Sequence, residues 1–149
     1  MGNFKILRAS AEHIPYMVPL FDDYRRFYGR PSNREEGRLF LTERLNRNES
    51  VILLAFEGEQ AVGFIQLYPT FSSESVKGLW ILNDLFVIPQ ARRQGVGEAL
   101  LQEAKLLAKQ TGAKGLVLET GIENVTAQRL YERLGWKRDE LFYRYYLDV

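Results

Sequence analysis

Apolar residues recur at Ile14, Met17, Val18, Phe21, Tyr24 and Tyr28, and that three-and-four spacing predicts an amphipathic helix whose apolar stripe turns aromatic towards its C-terminal end. Phe4 to Leu7 reads as a short strand before it, with Ser10 as the N-cap. Pro15 suits a first turn, Pro19 removes a backbone donor and bends the helix, and Gly29 with Pro31 ends it. A second helix is expected to start at Ser32, because Ser32 and Glu35 have the spacing of a capping box.

Beyond that point the period changes. Val51 to Phe56 and Ala61 to Tyr68 read as two strands joined by the turn Glu57-Gly58-Glu59-Gln60, hence antiparallel neighbours. Thr70 to Gly78 reads as a polar loop, and Trp80 to Ile88 as a strand stopped by Pro89. A helix from Arg93 to Gln110, a strand from Gly115 to Thr120 and a helix from Asn124 to Leu134 follow. Two closing strands are expected around Trp136 to Arg138 and Phe142 to Leu147. A strand-helix-strand unit implies a right-handed parallel crossover. The pattern therefore predicts an α/β fold, a mixed and mostly antiparallel sheet with a central parallel crossover and flanking helices. No repeat, low-complexity tract or linker divides residues 1–149, so one domain is expected.

The strongest chemical signal lies between the Trp80 strand and the following helix, in Arg92-Arg93-Gln94-Gly95-Val96-Gly97. A glycine turn leading into a helix start makes an anion cradle: unused N–H groups and the positive end of the helix dipole converge, and glycine lets a diphosphate approach closely. A dinucleotide fingerprint would need Gly or Ala at Leu100, and a nucleotide P-loop would need Gly-Lys-Ser/Thr after a longer loop. The chain has neither.

The pattern that fits is Arg/Gln-x-x-Gly-x-Gly/Ala. A second segment, Asn124 to Trp136, reads Asn-x-x-Ala-x-x-x-Tyr-x-x-x-Gly-aromatic. With both motifs in this order, one helix and one strand apart, the chain resembles the GNAT superfamily of acetyl-CoA-dependent N-acetyltransferases. Within it the chain is most similar to the small diamine and polyamine acetyltransferases. The resemblance is specific from Trp80 to Trp136 and topological before that.

Composition narrows the remaining options. With 46% apolar and 26% charged residues the chain has the make-up of a water-soluble globule, and a net charge of +1 argues against nucleic acid as a partner. There is no cysteine, which excludes disulfides, thiolate metal sites and a cysteine nucleophile. His13 is the only histidine; without clustered partners it reads as a capping or surface residue, and no metal is expected. No apolar run approaches the ~20 residues of a membrane span and no secretory signal pattern opens the sequence. A cytoplasmic protein is expected.

What the resemblance implies for the site is specific. The backbone of Leu85, Phe86 and Val87 would pair with the pantetheine arm, with a backbone N–H near Val87 meeting the oxyanion. Arg92, Arg93, Gln94, Gly95, Val96, Gly97 and Glu98 would hold the diphosphate, and Asn124 would cap its helix or also bond the pantetheine amide. Tyr131 would be the general acid, since a phenol with a reference pKa of about 10 stays protonated at neutral pH and has a proton to give the departing thiolate. Ala127, Leu130, Tyr131 and Leu134 also share one helix face, so Tyr131 has a core reading as well.

For the general base, the Glu-Asp pair of several diamine acetyltransferases aligns with Asn83-Asp84. Asn83 cannot accept a proton. Asp84 acting through a water, Glu119, or an amine that arrives neutral are the options, and Asp84 also has a purely structural reading. The acceptor slot is expected from Tyr24, Phe27, Tyr28, Tyr68, Phe71 and Trp80, with Glu119 nearby. Asp22, Asp23, Glu35 or Glu36 would attract a cation, or Arg25, Arg26 and Arg30 an anionic group.

The expected function is acetyl transfer from acetyl-CoA to the amine of a small molecule (a diamine, polyamine or amino-acid derivative), directly within a ternary complex. The alternatives are a protein lysine or N-terminal acetyltransferase and a non-catalytic acyl-CoA sensor. A homodimer is expected by analogy, and because Phe142, Tyr143, Tyr145 and Tyr146 make an aromatic final strand that needs covering.

Overall fold

The computed structural model describes residues 3–149. The chain forms two compact units, one ending at Leu118 and one spanning Glu119–Val149.

In the first unit, β1 (Lys5–Arg8) leads through a 3-10 turn (Ala11–His13) into α1 (Ile14–Phe27), and then come α2 (Arg34–Asn46), β2 (Val51–Glu57), β3 (Gln60–Ser72), β4 (Lys77–Val87), α3 (Val96–Gln110) and β5 (Leu116–Leu118). The sheet order is β1-β2-β3-β4-β5. All neighbours are antiparallel except β4 and β5, so α3 is the crossover that the strand-helix-strand pattern requires. β2 is buried on both faces from Val51 to Ala55, the signature of a strand covered on both sides. α1 packs on α2 and β3, and α3 packs on β2, β3 and β4. One core joins Met17, Leu20 and Phe21 of α1 and Leu41 of α2 to Ile52, Leu54, Phe64 and Phe86 of the strands.

Several expected boundaries move, each for a local reason. Ser32 does not cap α2, because its hydroxyl donates to the Asp22 carboxylate at 2.7 Å. Asn33 takes the cap, accepting from the Glu36 N–H at 3.1 Å and donating back to the Glu36 carboxylate at 3.1 Å. The Asn33 N–H also donates to Asp22, at 2.8 Å. Burial works to raise the Asp22 pKa, but these bonds together with the charges of Arg34 and Arg26 hold it below the ordinary range. The buried carboxylate thus pins the α1–α2 connection.

The loop expected from Thr70 to Gly78 shrinks to the turn at residues 73–76, and its flanks are strand. β3 runs to Ser72 and pairs with β4 as far as Ser72↔Lys77, cross-strand pairing overriding the polar composition. α3 begins at Val96 rather than Arg93, because Arg93 and Gly95 both take positive φ, 64° and 86°. His13 serves as a cap, accepting from the Ser10 N–H at 2.9 Å, and α1 continues through Pro19.

The second unit contains α4 (Val125–Arg133). It ends in a Schellman arrangement, Trp136 N–H to Tyr131 C=O and Gly135 N–H to Glu132 C=O. The two closing strands are absent: residues 134–149 form no strand, and Phe142, Tyr143, Tyr145 and Tyr146 are exposed. Aromatic composition favours a strand but supplies no partner to pair with. Among the described residues no helix is long and apolar enough to cross a membrane, and no group of His, Asp or Glu is placed to hold a metal ion.

Candidate active site

β4 outruns its parallel neighbour. β5 pairs with it only at Trp80, Ile81 and Leu82, so Asn83 to Val87 have β3 on one side and, among the described residues, no strand on the other. At that exit the β3–β4 register slips: Gln66 faces Asp84 and Leu67 faces Leu82, leaving Asn83 as the extra residue of a bulge. Bulges re-aim side chains beside working sites. Strand alternation turns the backbone groups of Leu85 and Val87 to the open edge and those of Phe86 to β3, so of the three residues whose backbone the resemblance pairs with pantetheine, Phe86 is spent on the sheet. The Val87 carbonyl is already engaged by the Arg92 Nε–H at 2.8 Å.

The end of β4 meets the start of α3 at Gly63, where a Cβ would lie 3.0 Å from the Phe86 carbonyl and 3.3 Å from Val96. Glycine lets the two elements close to this distance. Gly95, at φ 86°, is the N-cap of α3, a backbone state that side-chained residues rarely adopt. Helix geometry leaves the Val96 and Gly97 N–H groups without an intrahelical acceptor, and the helix dipole adds positive potential there. Gln94 braces the turn by donating to the Gln90 carbonyl at 3.2 Å. Arg92 lies over the Phe86 ring at 5.7 Å, Arg93 is exposed, and Glu98 sits in the first turn of α3. The loop has the features of a diphosphate cradle, and the neighbouring open edge those of an amide-pairing slot. The residues present fit coenzyme A.

Beside this edge stands a polar cluster in an otherwise apolar face. Asp84 is 2% exposed, and its two oxygens accept from Gln66 Nε2 at 2.6 Å and Asn83 Nδ2 at 2.7 Å. Burial pushes the Asp84 pKa above the ordinary carboxylate range, against the opposing pull of hydrogen bonds from Asn83, Gln66 and Tyr24. Tyr24 and Tyr68 are likewise driven well above a normal phenol, first by burial and then by the Asp84 charge. Tyr24 is edge-on to Tyr28 at 5.1 Å, and Phe27 lies edge-on to Tyr28 at 5.3 Å and to Phe86 at 6.5 Å. The structure therefore brings together Tyr24, Phe27, Tyr28, Tyr68, Asn83 and Asp84.

Others go elsewhere. Trp80 donates its indole N–H to Thr111 at the end of α3, at 2.9 Å, and Phe71 is exposed on the β3–β4 hairpin. Asp22 is spent on the α1–α2 connection. In the second unit, Asn124 caps α4 by accepting from the Ala127 N–H at 3.3 Å, Tyr131 packs its ring against Trp136 at 5.9 Å, and Glu119 is ion-paired with Arg144. Tyr131 is half-buried. Gln66 is the participant the sequence reading missed; its signal was one amide inside the apolar run Phe64-Ile65-Gln66-Leu67.

A sheet opened along one strand, ending in an anion cradle and flanked by a buried carboxylate, is the arrangement that the resemblance implies for an acyl-CoA-using transferase of the α/β class. The acetyltransferase (GNAT) family model matches residues 17–136, and the chain belongs to that family. It is 47% identical over 144 residues, 97% of each chain, to an uncharacterized N-acetyltransferase, YhfO, of Bacillus subtilis. The crystal structure of a probable acetyltransferase superposes with a TM-score of 0.92 at 46% identity over 97% of both chains. An aminoalkylphosphonate N-acetyltransferase of Salmonella typhimurium is 34% identical over 57% of this chain and 55% of its own. The protein is thus an N-acetyltransferase, and its acetyl donor is acetyl-CoA.

Proposed function

We propose that the enzyme acetylates the amine of a small molecule, a diamine, polyamine or amino-acid derivative, in the cytoplasm, by direct transfer while donor and acceptor are both bound. Buried Asp84, held by Gln66 and Asn83 next to the rings of Tyr24 and Tyr28, carries this reading. The rings offer flat apolar walls to the carbon chain of an amine, and the carboxylate offers a destination for its proton. The Salmonella relative, named for an aminoalkylphosphonate, supports an acceptor of that size.

When bound, acetyl-CoA supplies an activated acetyl group. The backbone of Leu85 would orient the donor along the open edge, the Val87 N–H would face the oxyanion, and the Gly95 to Gly97 cradle would hold the diphosphate. Asp84 is the base, since Glu119 is committed to Arg144. Tyr131 gives its proton to the departing thiolate. A chain without cysteine and with one histidine spent on a cap favours direct transfer over an acetyl-enzyme. We also propose a homodimer built on the exposed aromatic segment at residues 142–146.

The test is release of free coenzyme A with a panel of putrescine, spermidine, aminomethylphosphonate, D-alanine and a peptide with a free N-terminus. Turnover of a small amine is expected, with intersecting initial-rate plots. Turnover of the peptide alone would make it a protein acetyltransferase, and binding of acetyl-CoA without any turnover would make it a sensor.

A further inference from the structure

Asp84 poses a problem for its own role, because at 2% exposure and with each oxygen holding an amide donor it cannot meet an incoming amine directly. Tyr24 stands between. Its ring is fixed by Phe21 at 6.2 Å, Phe64 at 5.8 Å, Phe86 at 6.4 Å and Tyr28 at 5.1 Å, while the side chain stays partly open to solvent. The Tyr24 hydroxyl donates to the bulged Asn83 carbonyl over a long 3.4 Å, one residue along β4 from Asp84, whose negative charge acts on it. A bond that long is weak, so the proton is readily redirected to the carboxylate.

We propose that Tyr24 relays the proton of the acceptor ammonium to Asp84. The inference rests on the reading of Asp84 as the base. In the step, one ammonium N–H proton moves to the Tyr24 oxygen as the Tyr24 O–H proton moves to an Asp84 oxygen. The amine is left neutral, Asp84 becomes a carboxylic acid, and Tyr24 ends as the phenol it began as. Because it gives and takes together, Tyr24 never has to ionise, which agrees with the burial and the Asp84 charge that hold its pKa well above the ordinary value. The other groups facing this pair are Tyr28 from α1, Gln66 and Tyr68 from β3 and Asn83 from β4, with Arg44 of α2 acting on Tyr68 by charge. Among the described residues, none of the side chains acting on Asp84 is a competing carboxylate.

The experiment compares Tyr24→Phe and Asp84→Asn with the wild-type enzyme, using the panel amine turned over fastest and, as an acceptor neutral at neutral pH, hydroxylamine. For the cationic amine Tyr24→Phe should lose roughly 10²-fold in kcat/KM, while for hydroxylamine it should lose less than about 3-fold, since no proton needs relaying. Equal losses with both acceptors would make Tyr24 a packing or binding residue and overturn the relay. So would near-normal turnover of the cationic amine by Tyr24→Phe alongside an inactive Asp84→Asn. Full activity in Asp84→Asn, or no panel amine turned over by the wild-type enzyme, would remove the base itself and the relay with it.

Discussion

Gln66 and Asp84 face each other across β3 and β4, amide to carboxylate at 2.6 Å, with both side chains closed to solvent. The other end of the same amide, Gln66 Oε1, is buried with no hydrogen-bond partner. Such an orphan acceptor carries a desolvation cost of about 1–3 kcal/mol. An amide can turn over, however, and the turned Gln66 presents Oε1 as an acceptor to a protonated Asp84. The pair can therefore accommodate both protonation states of Asp84, as the proposed base would require.

Asp84→Asn tests this in two directions at once. With Gln66 turned, the new amide keeps a cross-strand hydrogen bond, but it has no proton acceptor, so kcat should fall by roughly 10²-fold or more. Stability should move the other way. Burial raises the Asp84 pKa in the folded state, so the folded chain holds the proton more tightly than the unfolded one. The stability contributed by this group is complete below the unfolded carboxyl value near 4 and is lost as pH rises through the higher folded value. At neutral pH the variant should therefore melt a few degrees above the wild-type protein, with the gap closing as pH falls towards about 4. Thermal scans showing a constant gap, or a less stable variant at neutral pH, would contradict the assignment.

At the cradle, Gly97→Val places a branched side chain in the first turn of α3, beside the N–H groups offered to a diphosphate. A β-branched residue is tolerated at a helix start, so the fold should survive. Acetyl-CoA should bind at least ~10-fold more weakly. Calorimetry on the folded variant measures this directly, and unchanged affinity would move the donor site elsewhere.

How much of this was legible in the sequence depends on whether each feature is set by neighbours along the chain or across the sheet. The apolar runs at Val51 to Phe56 and Ala61 to Tyr68, the stripe of α1 and the glycine turn before α3 are local patterns, and they stand as read. The extension of β3 and β4 through Thr70 to Gly78 is not local, since Thr70, Ser72 and Lys77 become strand residues only through their partners Leu79, Lys77 and Ser72. The Asn83 bulge is a matter of register and has no sequence signature. Ser32 and Asn33 are both good caps, and the choice between them was made by Asp22, ten residues upstream of Ser32. Gln66 alone left a visible trace, a polar residue where the pattern demanded an apolar one.

The aromatic segment bears on self-association. Phe142 and Tyr146 are 78% and 80% exposed, Tyr143 and Tyr145 still more. A buried aromatic side chain covers roughly 150–250 Å², so two such segments account for about the ~1,600 Å² of a standard interface. Light scattering at micromolar concentration should give the mass of two chains, and replacing Tyr143 and Tyr145 by Ser should shift the protein towards one. A monomer mass for the wild-type chain would refute the dimer.

Tyr131→Phe separates acid catalysis from packing. The ring sits half-buried against Trp136, and a phenylalanine keeps that contact, so folding and acetyl-CoA affinity should change little. Removing the hydroxyl takes away the proton offered to the thiolate, and kcat should fall by roughly 10²-fold. The loss should fall on the chemical step. It should also shrink for a thioester whose thiol is more acidic, because a better leaving group needs less help. Near-normal turnover of acetyl-CoA by Tyr131→Phe across the pH range would leave Tyr131 a packing residue, with the thiolate protonated by solvent or by the amine's own proton.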